Sequence, residues 1–176
     1  MQATLQMRVR DEEEDGVDLY GRTYRRQYTS SRSSTRLDLT TSLLPRATWV
    51  TRAEWVWAGQ DEHAADHGYL IHQDLSWWMS SMLRLQARVT IFHSESHISR
   101  LYGWEPDVGL ASAMPSFSGQ GSRHFVLLTF KPNAKVDARI KLARTQMPHQ
   151  YSIGSGNDMI RGNQRTQIHT SILLRS

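Results

Sequence analysis

Hydrophobic and polar residues alternate along most of this chain with a period of two, the period of a β-strand whose two faces differ. In the first segment Ala3, Leu5, Met7 and Val9 alternate with Thr4, Gln6, Arg8 and Arg10. Next, Leu37, Leu39, Thr41 and Leu43 stand against Arg36, Asp38, Thr40 and Ser42. After Pro45-Arg46 the third segment sets Trp49, Thr51, Ala53, Trp55 and Trp57 against Val50, Arg52, Glu54 and Val56. The fourth pairs Tyr69, Ile71, Gln73, Leu75 and Trp77 with Leu70, His72, Asp74, Ser76 and Trp78, and the fifth pairs Leu85, Ala87, Val89 and Ile91 with Arg84, Gln86, Arg88 and Thr90. A sixth segment from His124 to Lys131 is nearly all apolar; Val126, Leu128 and Phe130 are placed on its outward face. The seventh is clean, Val136, Ala138, Ile140 and Leu142 against Asp137, Arg139 and Lys141. The last sets Ile168, Thr170, Ile172 and Leu174 against Gln167, His169, Ser171 and Arg175. This predicts about eight strands, each near the roughly 9–11 residues that cross a bilayer at a tilt. Helix-period patterns are absent.

The connections sharpen the picture. Pro45-Arg46-Ala47, Ser80-Ser81-Met82 and Pro132-Asn133-Ala134 read as tight turns, whereas Glu12–Ser34, Ala58–His67, Glu95–Ser122 and Met147–Arg165 read as long polar links. Short turns on one side and long loops on the other are what an outer-membrane β-barrel shows. The predicted fold is therefore all-β, an antiparallel up-and-down transmembrane β-barrel in a single domain over residues 1–176. Leu39, Ala53, Val89, Ile140 and Ile172 are expected to face lipid. The link Glu95–Ser122 carries Trp104, Pro106, Met114, Pro115 and Phe117, and is expected to fold over the barrel mouth or against neighbouring loops.

The opposite face is charged. Arg36, Asp38, Arg52, Glu54, His72, Asp74, Arg88, Asp137, Arg139 and His169 are predicted to form a polar network lining the lumen, with Arg8 on the same face. Charges in a narrow lumen must be paired, because an isolated buried ion costs several kcal/mol. The pairs Arg36/Asp38, Arg52/Glu54 and Asp137/Arg139 alternate in sign as pairing requires. Side chains fill a barrel of about eight strands and leave no wide channel.

Composition narrows the classes. A hydrophobic share of 39% and a mean hydropathy of −0.55 leave no room for transmembrane helices, and a barrel does not need them. Six Trp and six Tyr suit interfacial aromatic girdles. The absence of cysteine fits an exported chain without disulfides, and a net charge of +4 spread along the strands gives no nucleic-acid footprint.

Candidates for chemistry are few. His72, Asp74 and Ser76 share one strand face, but such neighbours sit roughly 6.5–7 Å apart, too far for a nucleophile and its base. Asp61, Glu62, His63, Asp66 and His67 form an acidic loop that would hold a divalent metal only if helical. Gly154-Ser155-Gly156-Asn157-Asp158 reads as a turn, and Glu12-Glu13-Glu14-Asp15 as a solvated edge. No catalytic residue, metal or cofactor is assigned.

Three stretches carry a family likeness: SRLYGWEPDV from Ser99, PSFSGQGSRHFVLLTFKP from Pro115 and IGSGNDMIRGNQRTQI from Ile153. They resemble the C-terminal barrel region of large bacterial outer-membrane proteins that carry an N-terminal helix-hairpin-helix segment of the competence type. The resemblance runs from about Thr35 onward and implies a β-barrel in the outer membrane of a Gram-negative bacterium. No helix-hairpin-helix is present, so the DNA-binding role of that segment does not transfer. Neither is there a terminal aromatic after Leu174-Arg175-Ser176. The expected role is a non-enzymatic structural, binding or transport element of the envelope, in contact with membrane lipid. The chain is expected to be the C-terminal portion of a larger barrel, pairing with upstream strands or an envelope partner. The rival expectations are a barrel-borne hydrolase with a His/Asp/Ser rim site and a soluble β-barrel binding an apolar ligand.

Overall fold

The computed structural model describes residues 1–17, 23–60, 65–109, 112–154 and 159–175. Among them there is no helix, and eight long strands form one antiparallel sheet. These are β1 (Gln2–Val17), β2 (Thr23–Leu44), β3 (Ala47–Gln60), β4 (Asp66–Trp78), β5 (Leu83–Ser94), β10 (Gly119–Asn133), β11 (Val136–Gln146) and β14 (Gln164–Leu174). Short pairs occupy the links: β6 (Leu101–Tyr102) with β9 (Ser116–Phe117), β7 (Glu105–Pro106) with β8 (Ser112–Ala113), and β12 (Ser152–Ile153) with β13 (Ile160–Arg161).

Sequence order is sheet order, so the sheet is a meander. The tight turns at Pro45–Arg46, Met79–Met82 and Ala134–Lys135 fall on one side and the longer links on the other. Two links are shorter than expected. Much of Glu12–Ser34 is strand, because β1 and β2 stay paired as far as Val17 and Thr23; likewise β3 runs to Gln60 and β4 begins at Asp66. A ladder's bonds come from the backbone, so polar sequence can extend it without alternation. Among the described residues no ladder joins β1 to β14, and the side chains of Met1–Arg10 are exposed on both faces of β1.

The two faces of the sheet differ in exposure. Val89, Ile140 and Ile172 are 49%, 48% and 75% exposed, while Leu39 and Ala53 are half-buried. Arg88, Lys141 and Asp137 on the other face are buried. Facing in the sixth segment follows the expected parity, with Val126 and Phe130 exposed and Phe125 and Leu127 buried.

The link between β5 and β10 does not simply cover the mouth. It forms a hairpin that enters along the charged face. Its base is held in an apolar cluster, where Leu101 and Phe117 pack with Val56, Ala58, Leu70 and Phe92; the Phe92 and Phe117 rings lie 4.8 Å apart. Gly68 makes this approach possible, since a Cβ there would stand 2.6 Å from the Ser99 carbonyl oxygen. From the Gly119–Ser94 pair at the mouth, the hairpin reaches Arg139, which pairs with Thr129 ten residues further along β10. That is about 33 Å of strand. Of the apolar residues expected to anchor this link only Phe117 is buried; Trp104 and Met114 are exposed. Buried charge holds the middle instead.

Candidate functional site

The charged face is built from cross-strand neighbours. Asp38 and Arg52 sit directly opposite one another on β2 and β3, with Arg52 Nε donating to Asp38 Oδ1 at 2.5 Å. Arg36 Nε approaches the same carboxylate at 3.2 Å, from a residue opposite Glu54. Asp74 and Arg88 form the equivalent pair on β4 and β5, bidentate at 2.5 and 2.8 Å. Near the tight-turn end Asp137 accepts from Arg139 at 2.8 and 2.7 Å and from Lys131 at 2.9 Å. Fork-to-fork geometry of this kind makes the strongest ionic contacts available to side chains.

The inserted hairpin completes what the strands leave unpaired. Glu105, fully buried, accepts from Arg123 Nε and Nη2 at 2.8 and 3.1 Å and from Lys141 Nζ at 3.2 Å. Two cations thus share one carboxylate in a closed setting. Lys141 Nζ also stands 4.9 Å from the Phe125 ring centroid and Arg88 5.6 Å from it, so the aromatic face offsets part of the lost hydration. Arg88 Nη1 donates to the Trp104 carbonyl at 2.6 Å, and Arg139 Nη1 to that of Gly109 at 2.9 Å. At the hairpin tip Asp107 meets His169 Nδ1 at 3.0 Å. Burial pushes the Asp107 carboxyl up. The hydrogen bonds from His169 and from the Val108 N–H, with the Lys141 charge, outweigh it and hold the group below the usual carboxylate range.

All ten residues expected to line a polar interior lie on this face, but in separate groups. Arg36, Asp38, Arg52 and Glu54 form one; His72, Asp74 and Arg88 a second; Asp137 and Arg139 a third; and His169 joins the hairpin. Glu54 is not directly bonded to Arg52 as the sign alternation suggested, because Arg52 turns to Asp38 across the ladder. His72 Nε2 lies 3.6 Å from Asp74, whereas the Ser76 hydroxyl accepts from Arg84 at 3.1 and 2.9 Å, so these three do not form a nucleophile relay. Directly opposite each other, His72 Nδ1 and Thr90 Oγ1 are buried without a protein partner.

Glu105, Asp107, Arg123 and Lys141 were not picked out by pattern. A signal existed: Lys141 has no acid on either neighbouring strand, Arg123 has none opposite it, and the link between β5 and β10 carries Glu105 and Asp107 amid apolar residues. Asp61, Glu62 and His63 of the acidic loop lie outside the described residues, as do Ser155–Asp158 and the side chains of Glu12–Asp15. His67 contacts Glu95 at 3.0 Å, and among the described residues no group of three potential ligands could hold a metal.

Two cavities flank the hairpin. One of about 670 Å³ lies toward β11 and β14, lined among others by Arg100, Asp107, Arg123, Arg165, Gln167 and His169. The other, about 360 Å³, lies toward β1 and β2 and is lined by Arg8, Arg10, Arg32, Ser34, Arg36, Glu54, Tyr102 and Met114. The chain matches no family model, no curated protein and no solved structure. What these sites can do rests on their own chemistry: they present fixed cationic and hydrogen-bonding groups inside a concave, partly filled sheet.

Proposed function

We propose that the chain is a β-barrel element of the bacterial outer membrane, serving a structural, binding or transport role with its charged face turned to an interior and its aliphatic face to lipid. One observation carries this reading. From β5 to β14 the sheet buries Arg88, Arg123, Asp137 and Lys141 on one face and leaves Val89, Ile91, Val126, Ile140 and Ile172 exposed on the other. In water that arrangement forfeits the hydrophobic contribution of one whole face and leaves an apolar surface prone to aggregation. In a bilayer the same surface is satisfied.

Aromatic placement adds support. On the outward face Trp77 stands opposite Ala47, and Trp57 opposite His67, ten residues away along β3. That separation is about 33 Å along the strand, or about 25 Å across a bilayer at a 40° tilt, the height of the apolar band of such barrels. Trp49 lies near the first level, and Trp55 with Tyr69 near the second. Closure would come from β1 meeting β14, from further strands or from an envelope partner; an edge left unpaired in hydrocarbon would cost several kcal/mol per exposed group.

The test is extraction. The folded protein should require detergent, migrate differently on gels before and after heating, and show Trp55 and Trp57 fluorescence quenched by brominated lipid. A monodisperse protein in plain buffer, with no quenching in vesicles, would overturn the proposal.

A further inference from the structure

We propose that the aliphatic face carries, at its loop end, a groove that binds the saccharide headgroup of a membrane glycolipid. The groove, about 400 Å³, crosses β4, β5, β10, β11 and β14. One row of the ladders runs through it: Ile91 stands opposite Ser122, Ser122 opposite Gln146, and Gln146 opposite Gln164. The next row toward the loops brings Tyr69, His93 and Gln120 side by side. Both rows have the parity of Val126, Leu142 and Ile168 and so belong to the same face as these. That face changes character here. Nearer the tight turns Ala87, Val126, Leu142 and Ile168 stand directly opposite one another as an apolar row. At the groove the last three of those strands present a hydroxyl and carboxamides instead.

The chemistry of the lining selects the occupant. None of the described residues that line the groove is charged. Gln120, Ser122, Gln146 and Asn163 make no side-chain hydrogen bond among the described residues. Gln164 accepts from Arg144 of the neighbouring strand, which leaves its amide N–H groups to donate elsewhere. A carboxamide offers a donor and an acceptor in one plane, and so matches vicinal hydroxyls, each of which also donates and accepts. An ionic headgroup would find no opposite charge in this lining to replace its hydration. At the other end Tyr69, half-buried and 5.6 Å from the His93 ring, and Ile91, 54% exposed, form aromatic and aliphatic walls for the C–H faces of a sugar ring. The position of the groove names the source of the saccharide. It lies at the level of Trp55 and Tyr69, where aromatic residues mark the boundary between headgroups and hydrocarbon. A headgroup seated there keeps its acyl chains along Val126, Leu142 and Ile168. The inference rests on the membrane reading for the lipid, and on the groove's own lining for the saccharide.

The experiment is native mass spectrometry of the full chain in an amine-oxide detergent, which carries no sugar. The chain is titrated with diglucosyl diacylglycerol and, separately, with diacylglycerol of the same acyl chains. Saturable retention of the glycolipid, severalfold stronger than that of the diacylglycerol, is expected. Gln146→Ala should weaken it about two- to tenfold, as loss of neutral hydrogen bonds requires, and Ser122→Ala should weaken it further in combination. Gln73→Ala, which removes an exposed carboxamide from the same face outside the groove, should leave it unchanged. Equal retention of the two lipids, or equal loss in Gln146→Ala and Gln73→Ala, would overturn the site. Gln146-dependent binding of free maltose, with no preference between the lipids, would overturn the lipid source in favour of a soluble saccharide. A chain that is monodisperse in plain buffer would overturn the membrane reading and the lipid with it. Maltose titrated in that buffer then decides the groove: Gln146-dependent binding leaves it standing, and no binding overturns it.

Discussion

The two sides of the charged face have solved the same problem differently. From β5 to β14 the strands present Arg88, Arg123, Arg139 and Lys141, and an inserted hairpin carries Glu105 and Asp107 and the carbonyls of Trp104 and Gly109 to them. From β1 to β3 the same hairpin offers Arg32 the carbonyls at its base, and Arg36 and Arg52 share Asp38 of β2. One side is neutralised by the acids of the hairpin. The other takes its carboxylate from the strands themselves. The hairpin therefore does more than occupy volume: its acids neutralise the buried cations of β10 and β11.

The neutralised side should be the more fragile to a single change. Glu105→Ala would leave Arg123 buried without an anion and Lys141 with only the more distant Asp107, and removing one partner of such a group costs about 3–5 kcal/mol. The loss should appear as a lowered denaturation midpoint, read in urea against the parent. Adding Arg123→Met and Lys141→Met should recover much of it, since an apolar replacement of a whole buried ion group is often neutral. If the single change costs less than about 1 kcal/mol, the hairpin is not held by its charge.

A somewhat smaller effect tests the other face. Ile140→Arg places a charge on the aliphatic side, opposite Leu128 and Thr170. If that side meets hydrocarbon near the midplane, the cost is about 2–4 kcal/mol, falling toward zero near an interface. If it meets water, an exposed change of this kind stays within about 0.5 kcal/mol. Folding into vesicles of defined thickness separates the two outcomes.

Much of this was legible in the residues. Period-two alternation located all eight long strands, because a side-chain period of two marks a strand whose two faces differ. What alternation could not disclose was how far strands continue through polar sequence: β1 and β2 stay paired through residues without an apolar face. Nor could it place the link from Glu95 to Gly119. Trp104 and Met114 suggested an apolar lid, yet they are exposed, and the link is positioned by Leu101, Phe117 and the Glu105 carboxylate. That outcome depends on which distant cations lack a partner, a three-dimensional balance that no local window contains.

The smallest effect lies at the tip of the hairpin. Asp107 is held between His169, the Val108 N–H and Lys141, and its acid form is disfavoured in the folded chain. Its folded pKa lies below the unfolded value of about 3.9. A group shifted in that direction contributes stability that is fully present above the unfolded value and is lost as pH falls through the folded one. His169 is partly exposed, so solvent screens the pair and its contribution should stay within about 1 kcal/mol. Asp107→Asn should therefore lower stability slightly at neutral pH, and the difference from the parent should shrink as the pH drops below about 4. The two denaturation curves, measured across that range, should converge at the acid end. A difference that persists undiminished at low pH would mean that Asp107 holds the tip through its shape and not its charge.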